Sequence, residues 1–542
     1  MTQTRRAFLH TTSRAAAAVA IHQRVPGFVS RYLDPRSGDP DAALPALAAK
    51  ALDAARAAGA AYADIRFSLA QRQGVHIRGA GIVAAPFSMV EAAVGVRVLV
   101  DGVWGFVAGV VWSDDEVVRL ARSAVAQAKA VDWGLGTRVD LTPAPVVNGR
   151  WTTPIQRDPL EVSTEEIIAH VTDAHQVAIT TAGSALQDVS TSIGAQRADK
   201  TFASTEGSFT QQRQYMMFWG GGGSVVSVHS ADRTSAAAAS ALDIWPMSGG
   251  YELLGAAKLK EQMPAMVDQA KRGLNAKPGD VGRFDVVLDA RSTASLLAMT
   301  VGRPTQLDRV LGTEANATGT SFLAPPEAIL GTFHLGTPAL TITGDRTTPR
   351  GAATVGWDDE GVAPEAFTLV DHGVVTDYQT GREQPAELAR YYRSHQRPTR
   401  SHGCGTADSA RHVVMNHTPN LTMHPGSGGT LESLLHGIVD GYAFLGASVT
   451  VDQQSLNGQS LGAEATYRIR NGKLAEPASH MSLLFRTPEL WHAVQGVGSA
   501  AGAVGVGSFD FKGQPNQGNI FTVTAVPTRL TNMRVANLGR KL

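Results

Sequence analysis

Gly95-Val96-Arg97-Val98-Leu99-Val100 and Val103-Trp104-Gly105-Phe106-Val107 are two apolar runs joined by Asp101-Gly102. Asp-Gly is a strong hairpin signal, because a tight two-residue turn needs positive φ and these residues tolerate it. A β-hairpin is therefore expected over 95–107. Toward the N-terminus, Tyr62 to Leu69 alternates, with Asp64 and Arg66 on one face and Ile65 and Phe67 on the other, the pattern of a half-buried strand. Ahead of it, Leu44, Leu47, Ala48, Ala51, Leu52 and Ala55 recur at helical spacing over 42–58, and Gly59 is placed to stop that helix. Downstream, Ser113-Asp-Asp-Glu116 is a capping box opening a helix over 117–130, and Ser163-Thr-Glu-Glu166 opens another through about Ala178.

Leu141 to Pro159 is Pro-rich and is expected to form an exposed loop inside this first domain. Gln187 to His229 is strand-like, with turns. Gly220 to Gly223 has no Lys-Ser/Thr behind it and no following helix, so it is a hairpin end and not a phosphate loop. Leu253 to Leu274 is helical, and Pro278-Gly279 punctuates before a strand over 285–288. The chain thus divides near Pro278, into a first domain over 42–277 and a second over 278–542 that is dominated by short β segments and Gly-rich turns.

The composition bounds the function. The 542 residues carry 48 Lys+Arg against 48 Asp+Glu, so no charge excess points to nucleic acid or an acidic membrane surface. No run of about 20 apolar residues spans a membrane in the body of the chain. A single cysteine, Cys404, excludes a disulfide framework and any Cys-rich zinc module. Residues 1–34 read as an address and a linker: Thr4-Arg5-Arg6-Ala7-Phe8-Leu9, then a short apolar run from Ala15 to Ile21, is the pattern of a twin-arginine-type signal. The expected location is periplasmic or extracytoplasmic, with the segment serving as an anchor if it is not cleaved.

The Gly95–Phe106 stretch resembles a hallmark of the TldD/PmbA family of metallopeptidase-like proteins. So do Trp357-Asp358-Asp359-Glu360-Gly361, Phe367-Thr-Leu-Val370 with Gly373, Arg382, Pro419-Asn420 ahead of Pro425-Gly426, the Tyr467-to-Gly472 hairpin and Lys512-Gly513-Gln514-Pro515. The ordered set runs from about Leu44 to Leu538. The resemblance implies an α+β, two-domain fold, with a mixed α/β N-terminal domain and an antiparallel-β-rich C-terminal domain. It also implies dimers, as a homodimer or as a heterodimer with a TldD-like paralogue.

Active members of that family carry His-Glu-x-x-x-His on a helix between a Val-Val-Leu-Asp-like strand and an Asp-Arg-x-Leu-Gly segment. Two imidazoles would hold zinc, and the carboxylate would take a proton from the metal-bound water. One residue more than the common His-Glu-x-x-His spacing rotates the second His by about 100° on an α-helix, so a kinked or tightened helix is expected there. In this chain Val286-Val-Leu-Asp289 and Leu307-Asp308-Arg309-Val310-Leu311-Gly312 flank Leu296-Leu-Ala-Met-Thr-Val-Gly-Arg303-Pro304. The two His positions fall on Ala298 and Arg303 and the Glu position on Met299, and Gln306 stands where relatives often have Glu. The family's cysteine ligand has no match, Asp510 standing in the segment before Lys512-Gly513-Gln514. The motif is vestigial, and no cofactor is expected, zinc belonging to the active relatives.

A replacement metal site has its candidates in His402, Cys404, His412 and His417, which lack Cys-x-x-Cys or His-x-x-x-His spacing. Gly-x-Ser-x-Gly is absent, so serine catalysis has no elbow. The Asp358–Glu360 carboxylates read as a capped turn. In relatives the loop after the motif borders the cleft, so Glu314, Asn316, Ser321 and Cys404 are candidate peptide contacts. The chain is therefore expected to be a non-catalytic subunit that partners an active paralogue or binds an extended peptide. The alternative is an active peptide hydrolase using relocated ligands.

Overall fold

The structure is a computed structural model that describes residues 43–131, 138–218, 224–241, 246–256, 258–461 and 464–539. The twin-arginine segment and linker of residues 1–34 and Gly220–Gly223 lie outside the described residues. The N-terminal half is built on a long antiparallel ribbon of β1 (Tyr62–Arg78), β2 (Val83–Val100) and β5 (Leu186–Ser204), β1 pairing along its whole length with β2. The sheet continues to β3 (Val103–Gly109) on one side and to β6 (Phe209–Phe218) and β4 (Asn148–Thr152) on the other. The expected hairpin is the β2–β3 turn, and Asp101 and Gly102 have φ of 50° and 79°.

Two helix pairs cover this ribbon. At one end, α1 (Ala43–Ala58) and α2 (Asp114–Ala130) bury their apolar stripes; those of α1 are Leu44, Leu47, Ala48, Ala51, Leu52 and Ala55. Phe67 meets Trp112 edge to face at 5.3 Å in this core. Burying such a side chain stabilises by about 1.5–3 kcal/mol. At the other end, α3 (Thr164–Ala182) and α4 (Leu259–Gly273) pack over Val75, Ile77 and Ile193. Ser113 and Ser163 cap as expected, each hydroxyl accepting from the N–H three residues on. The helix expected over 253–274 is divided: a short helix, Glu252–Ala256, precedes α4, and Lys258 at φ 48° breaks the run before Leu259.

Strand β1 departs from the half-buried pattern, since every residue from Tyr62 to Leu69 is buried. Its Asp64/Arg66 face is covered by segments some 300 residues later, Arg66 donating to the His412 carbonyl at 2.7 Å. Gly95 belongs to this contact: a Cβ there would lie 2.0 Å from the Ala410 carbonyl oxygen, so only hydrogen leaves the loop room. The Pro-rich segment over 141–159 is not a free loop either. It contributes β4, Thr142 and Thr153 are buried, and the Thr142 carbonyl accepts from Arg382 Nε at 2.9 Å.

The C-terminal half holds two further sheets. In one, β7 (Gly282–Leu288) lies parallel to β11 (Asp440–Leu445) and antiparallel to β14 (Thr528–Asn537). In the other, β8 (Ile342–Asp345) pairs with β9 (Phe367–Asp371) and β10 (Asn420–Met423), and β13 (Gln517–Ala525) links β10 to the edge strand β12 (Val504–Lys512). Helix α5 (Ala290–Leu297) leaves β7 through an Asp289 cap and packs between the sheets, in a core that includes Leu297, Val301, Leu421 and Val523. No described helix is long and apolar enough to cross a membrane.

Candidate functional site

Helix α5 runs directly into a π-turn over Ala298–Gly302, where the Arg303 N–H donates to the Ala298 carbonyl at 3.0 Å. The kinked or tightened helix expected from the five-residue spacing is instead a widened one. An i→i+5 hydrogen bond brings positions 298 and 303 toward one face of the turn, which a regular α-helix does not do. The surroundings hold this shape. A Cβ on Gly302 would stand 2.9 Å from Leu421 Cδ1 and 3.3 Å from Thr418 Cγ2, so glycine lets β10 approach. Thr300 donates to the Leu296 carbonyl at 2.6 Å and accepts from Trp491 Nε1 at 3.0 Å. Gln379 donates to the Gly302 carbonyl at 2.5 Å, and Pro304 ends the turn.

Ala298 is buried, while Met299 and Arg303 are half-buried. None of the three suits a metal: an alkyl group has no donor, a thioether is a poor zinc ligand and a guanidinium repels a cation. Around them lies a polar network. Gln306 Nε2 donates to Thr418 Oγ1 at 2.8 Å and to Asp510 Oδ2 at 2.6 Å. His417 Nδ1 lies 3.0 Å from the same Asp510 oxygen, and the Thr418 N–H reaches it at 3.2 Å. Lys512 Nζ pairs with Asp308 at 2.6 Å and donates to the Asn416 carbonyl at 2.6 Å. Burial alone would raise the Asp510 pKa, but the His417 hydrogen bond and charge, then Lys512 and Arg309, outweigh it and hold the carboxyl well below its ordinary range.

In the loop that follows, Glu314 and Ser321 spend their polar atoms on other groups of the protein. Glu314 is buried and accepts from Thr318 Oγ1 at 2.9 Å and the Gly513 N–H at 3.3 Å. Ser321 is buried, donating to the Pro304 carbonyl at 2.7 Å and accepting from the Leu323 N–H at 3.0 Å. Asn316 alone of these three is exposed. Cys404 is fully buried, and burial pushes its thiol up to about 12, leaving it neither a face toward a cleft nor a ready thiolate.

The histidines proposed as substitute ligands do not converge. His402 is held between two carboxylates, Nδ1 at 2.8 Å from Glu365 and Nε2 at 2.9 Å from Asp377, and it stacks on Phe367 at 4.2 Å. Both ring nitrogens are engaged, so the ring is an ion-pair bridge. His412 Nδ1 contacts Asp408 at 2.5 Å, away from the His417–Asp510 pair. Among the described residues no three His, Cys, Asp or Glu side chains gather to hold a metal ion. The residues present do not fit the family's zinc.

The Asp358–Glu360 run is a turn, as its sequence suggests, with Asp358 Oδ1 accepting from the Glu360 and Val362 N–H groups. Sequence reasoning did not reveal what that turn does. Glu360 accepts from Arg97 Nη1 at 3.0 Å and from the Arg382 N–H at 2.6 Å, while Asp359 pairs with Lys200 at 2.8 Å. The turn thereby ties the two halves of the chain together. Sequence reasoning also missed Thr318, whose carbonyl accepts from both Arg303 and Arg309.

Two family models match: the PmbA/TldA metallopeptidase domain 1 over residues 63–128, and the PmbA/TldA metallopeptidase C-terminal domain over residues 281–537. A metalloprotease of Methanothermobacter thermautotrophicus is 26% identical over 449 residues, covering 81% of this chain and 88% of that protein. One of Methanocaldococcus jannaschii is 23% identical over 77% of this chain and 84% of its own length. The crystal structure of TldE from Thermococcus kodakarensis shares the fold, with a TM-score of 0.65 at 14% identity, over 92% of this chain and all of that one. With both ends of its described fold matched in order, the chain belongs to the PmbA/TldD family of metallopeptidase-like proteins.

Proposed function

We propose that this chain is a non-catalytic PmbA/TldD-family subunit, exported by the twin-arginine route to a periplasmic or extracytoplasmic location. There it partners a TldD-like paralogue, or a second copy of itself, and holds an extended peptide. The observation that carries the reading is the π-turn itself. The scaffold that brings positions 298 and 303 together is intact, and it presents Ala298, Met299 and Arg303 to a network of Gln306, Asp510, His417 and Lys512, in which the buried His417 Nε2 is left without a hydrogen-bond partner among the described residues. Hydrolysis through a metal-bound water needs several converging donor atoms and a carboxylate base. Ala298, Met299 and Arg303 supply neither, and His417 Nε2 is a single open nitrogen with no further His, Cys, Asp or Glu gathered about it into a metal site among the described residues.

Strand β12 supports the binding half of the reading. It ends its sheet, and no described strand pairs with its outer edge. Phe509 and Phe511 are exposed and stacked at 5.9 Å, flanking the inward Asp510. An extended segment can add to such an edge through backbone hydrogen bonds alone.

Metal content and mass test the reading together. Elemental mass spectrometry on the purified protein is expected to find zinc far below one atom per chain, and light scattering to find a dimer, alone or with the paralogue. One tightly held zinc per chain, with peptide cleavage that a chelator abolishes, would establish the alternative of relocated ligands.

A further inference from the structure

The Thr318 carbonyl accepts hydrogen bonds from two guanidiniums, Arg303 through Nη2 and Arg309 through Nη1. Like charges share one neutral acceptor, and neither arginine is ion-paired among the described residues. The two differ in what else they hold. Arg309 is fully buried, and its other nitrogens are used: Nε donates to Gln306 Oε1 at 3.3 Å and Nη2 to Thr318 Oγ1 at 3.0 Å. Thr318 Oγ1 in turn donates to Glu314, so the Arg309 charge is relayed to a carboxylate. Arg303 has no such relay. It is half-buried, and its Nε and Nη1 make no hydrogen bond within the described protein. The nearby acids are engaged elsewhere: Asp308 with Lys512, Asp510 with His417 and Gln306, and Asp452 with the backbone and side chain of its own turn.

A guanidinium fixed at one end, with its second N–H edge free, matches the two oxygens of a carboxylate. We propose that Arg303, set where the family would place a metal ligand, is a carboxylate-binding site that takes the terminal or side-chain carboxylate of a peptide. The peptide as carrier rests on the reading above; the carboxylate site rests on Arg303 alone. Its physical basis is that burial, and then the adjacent Arg309, disfavour the Arg303 charge, so an entering anion relieves an existing cost.

Two measurements on the full chain test this. In protein labelled with 15N-arginine, the Arg303 Nε–H resonance, assigned by its loss in Arg303→Lys, is followed during titration with propionate and with propionamide. Propionate is expected to shift it and propionamide to leave it in place. A resonance that propionate does not move overturns the site. Fluorescence anisotropy then compares three alanine-rich octapeptides: one with a free C-terminus, one C-terminally amidated, and one amidated with an internal glutamate. A carboxylate peptide is expected to bind about tenfold more tightly than the neutral one, and Arg303→Ala to erase the difference. Preference for the free terminus or for the glutamate identifies the source of the carboxylate. Equal affinity for all three overturns the carboxylate inference and leaves peptide binding standing. Binding of none rejects the peptide reading, and the propionate titration then decides the anion site by itself.

Discussion

Two buried charge clusters in this molecule follow opposite rules. Where the N-terminal sheet meets the C-terminal half, the cations lie against carboxylates of the protein. Arg97 is shared by Asp64 at 2.7 Å and Glu360 at 3.0 Å and lies over the Trp104 ring, while Arg382 forks onto Glu206 with two bonds of 2.8 Å. At the π-turn, two guanidiniums meet at a single neutral carbonyl. The first arrangement is closed in that Arg97 and Arg382 are each ion-paired to a carboxylate of the protein. The second is open on one side. Buried charge joins halves of a fold when it is paired, and it marks a place for a ligand when it is not.

The contrast breaks most readily at Arg97. Arg97→Ala would leave Asp64 and Glu360 buried without their shared cation, Asp64 retaining only Arg66 at 3.9 Å. Removing one partner of a fully buried pair costs about 3–5 kcal/mol, because the desolvated charge remains. Denaturant unfolding should show a loss of that size. A loss below about 1 kcal/mol would mean that water reaches the junction and that the closed cluster is not closed.

A smaller effect belongs to His402, a paired cation whose charge depends on pH. Burial works against its charged form, but the hydrogen bonds to Asp377 and Glu365 outweigh burial and raise its pKa. The stability from protonated His402 is therefore fully present below the unfolded value of about 6.5, and it disappears as the pH climbs through the raised folded value. Glu365 and Asp377 are held below their ordinary range, so their share is lost only in acid. Arg397 pairs with Asp377 and Arg400 with Glu365. Wild-type protein should lose about 1.5–3 kcal/mol more than His402→Gln between pH 6 and pH 9. Thermal melts that run parallel for the two proteins over this range would show that His402 does not bridge as a cation.

Much of the closed region was legible in the sequence one element at a time. Helical spacing named the six buried residues of α1, Asp101-Gly102 set a turn with both φ values positive, and Ser113 and Ser163 marked two caps. Local chemistry decides such features. The pairing of Asp64 with Arg97 and Glu360 was not legible, since alternation along 62–69 fits a strand wetted on one face as well as one covered by a turn near residue 360. The candidate centre divides in the same way. The identities of Ala298, Met299 and Arg303 exclude a zinc ligand set at those positions on chemistry alone. The π-turn depends on packing against Leu421, Thr418 and Trp491, and the Arg303–Thr318–Arg309 contact depends on a loop that folds back over fifteen residues. No periodicity encodes either.

The smallest expected effect tests the open cluster and separates it most sharply from the closed one. Arg303→Ala removes a guanidinium, as Arg97→Ala does, yet it strands no carboxylate, because neither Asp510 nor Asp308 is ion-paired to Arg303. The Thr318 carbonyl keeps its bond from Arg309, so no buried acceptor is orphaned. Two terms then oppose each other: the lost packing of the arginine stem, and the relief of repulsion between two adjacent cations. Unfolding free energy should change by no more than about 0.5 kcal/mol in either direction. Added propionate should raise the melting temperature of wild-type protein and leave that of Arg303→Ala where it was, since only a ligand bound to the native state stabilises it. A destabilisation as large as that of Arg97→Ala would place Arg303 in the fold's own cement, and the two clusters would no longer differ in kind.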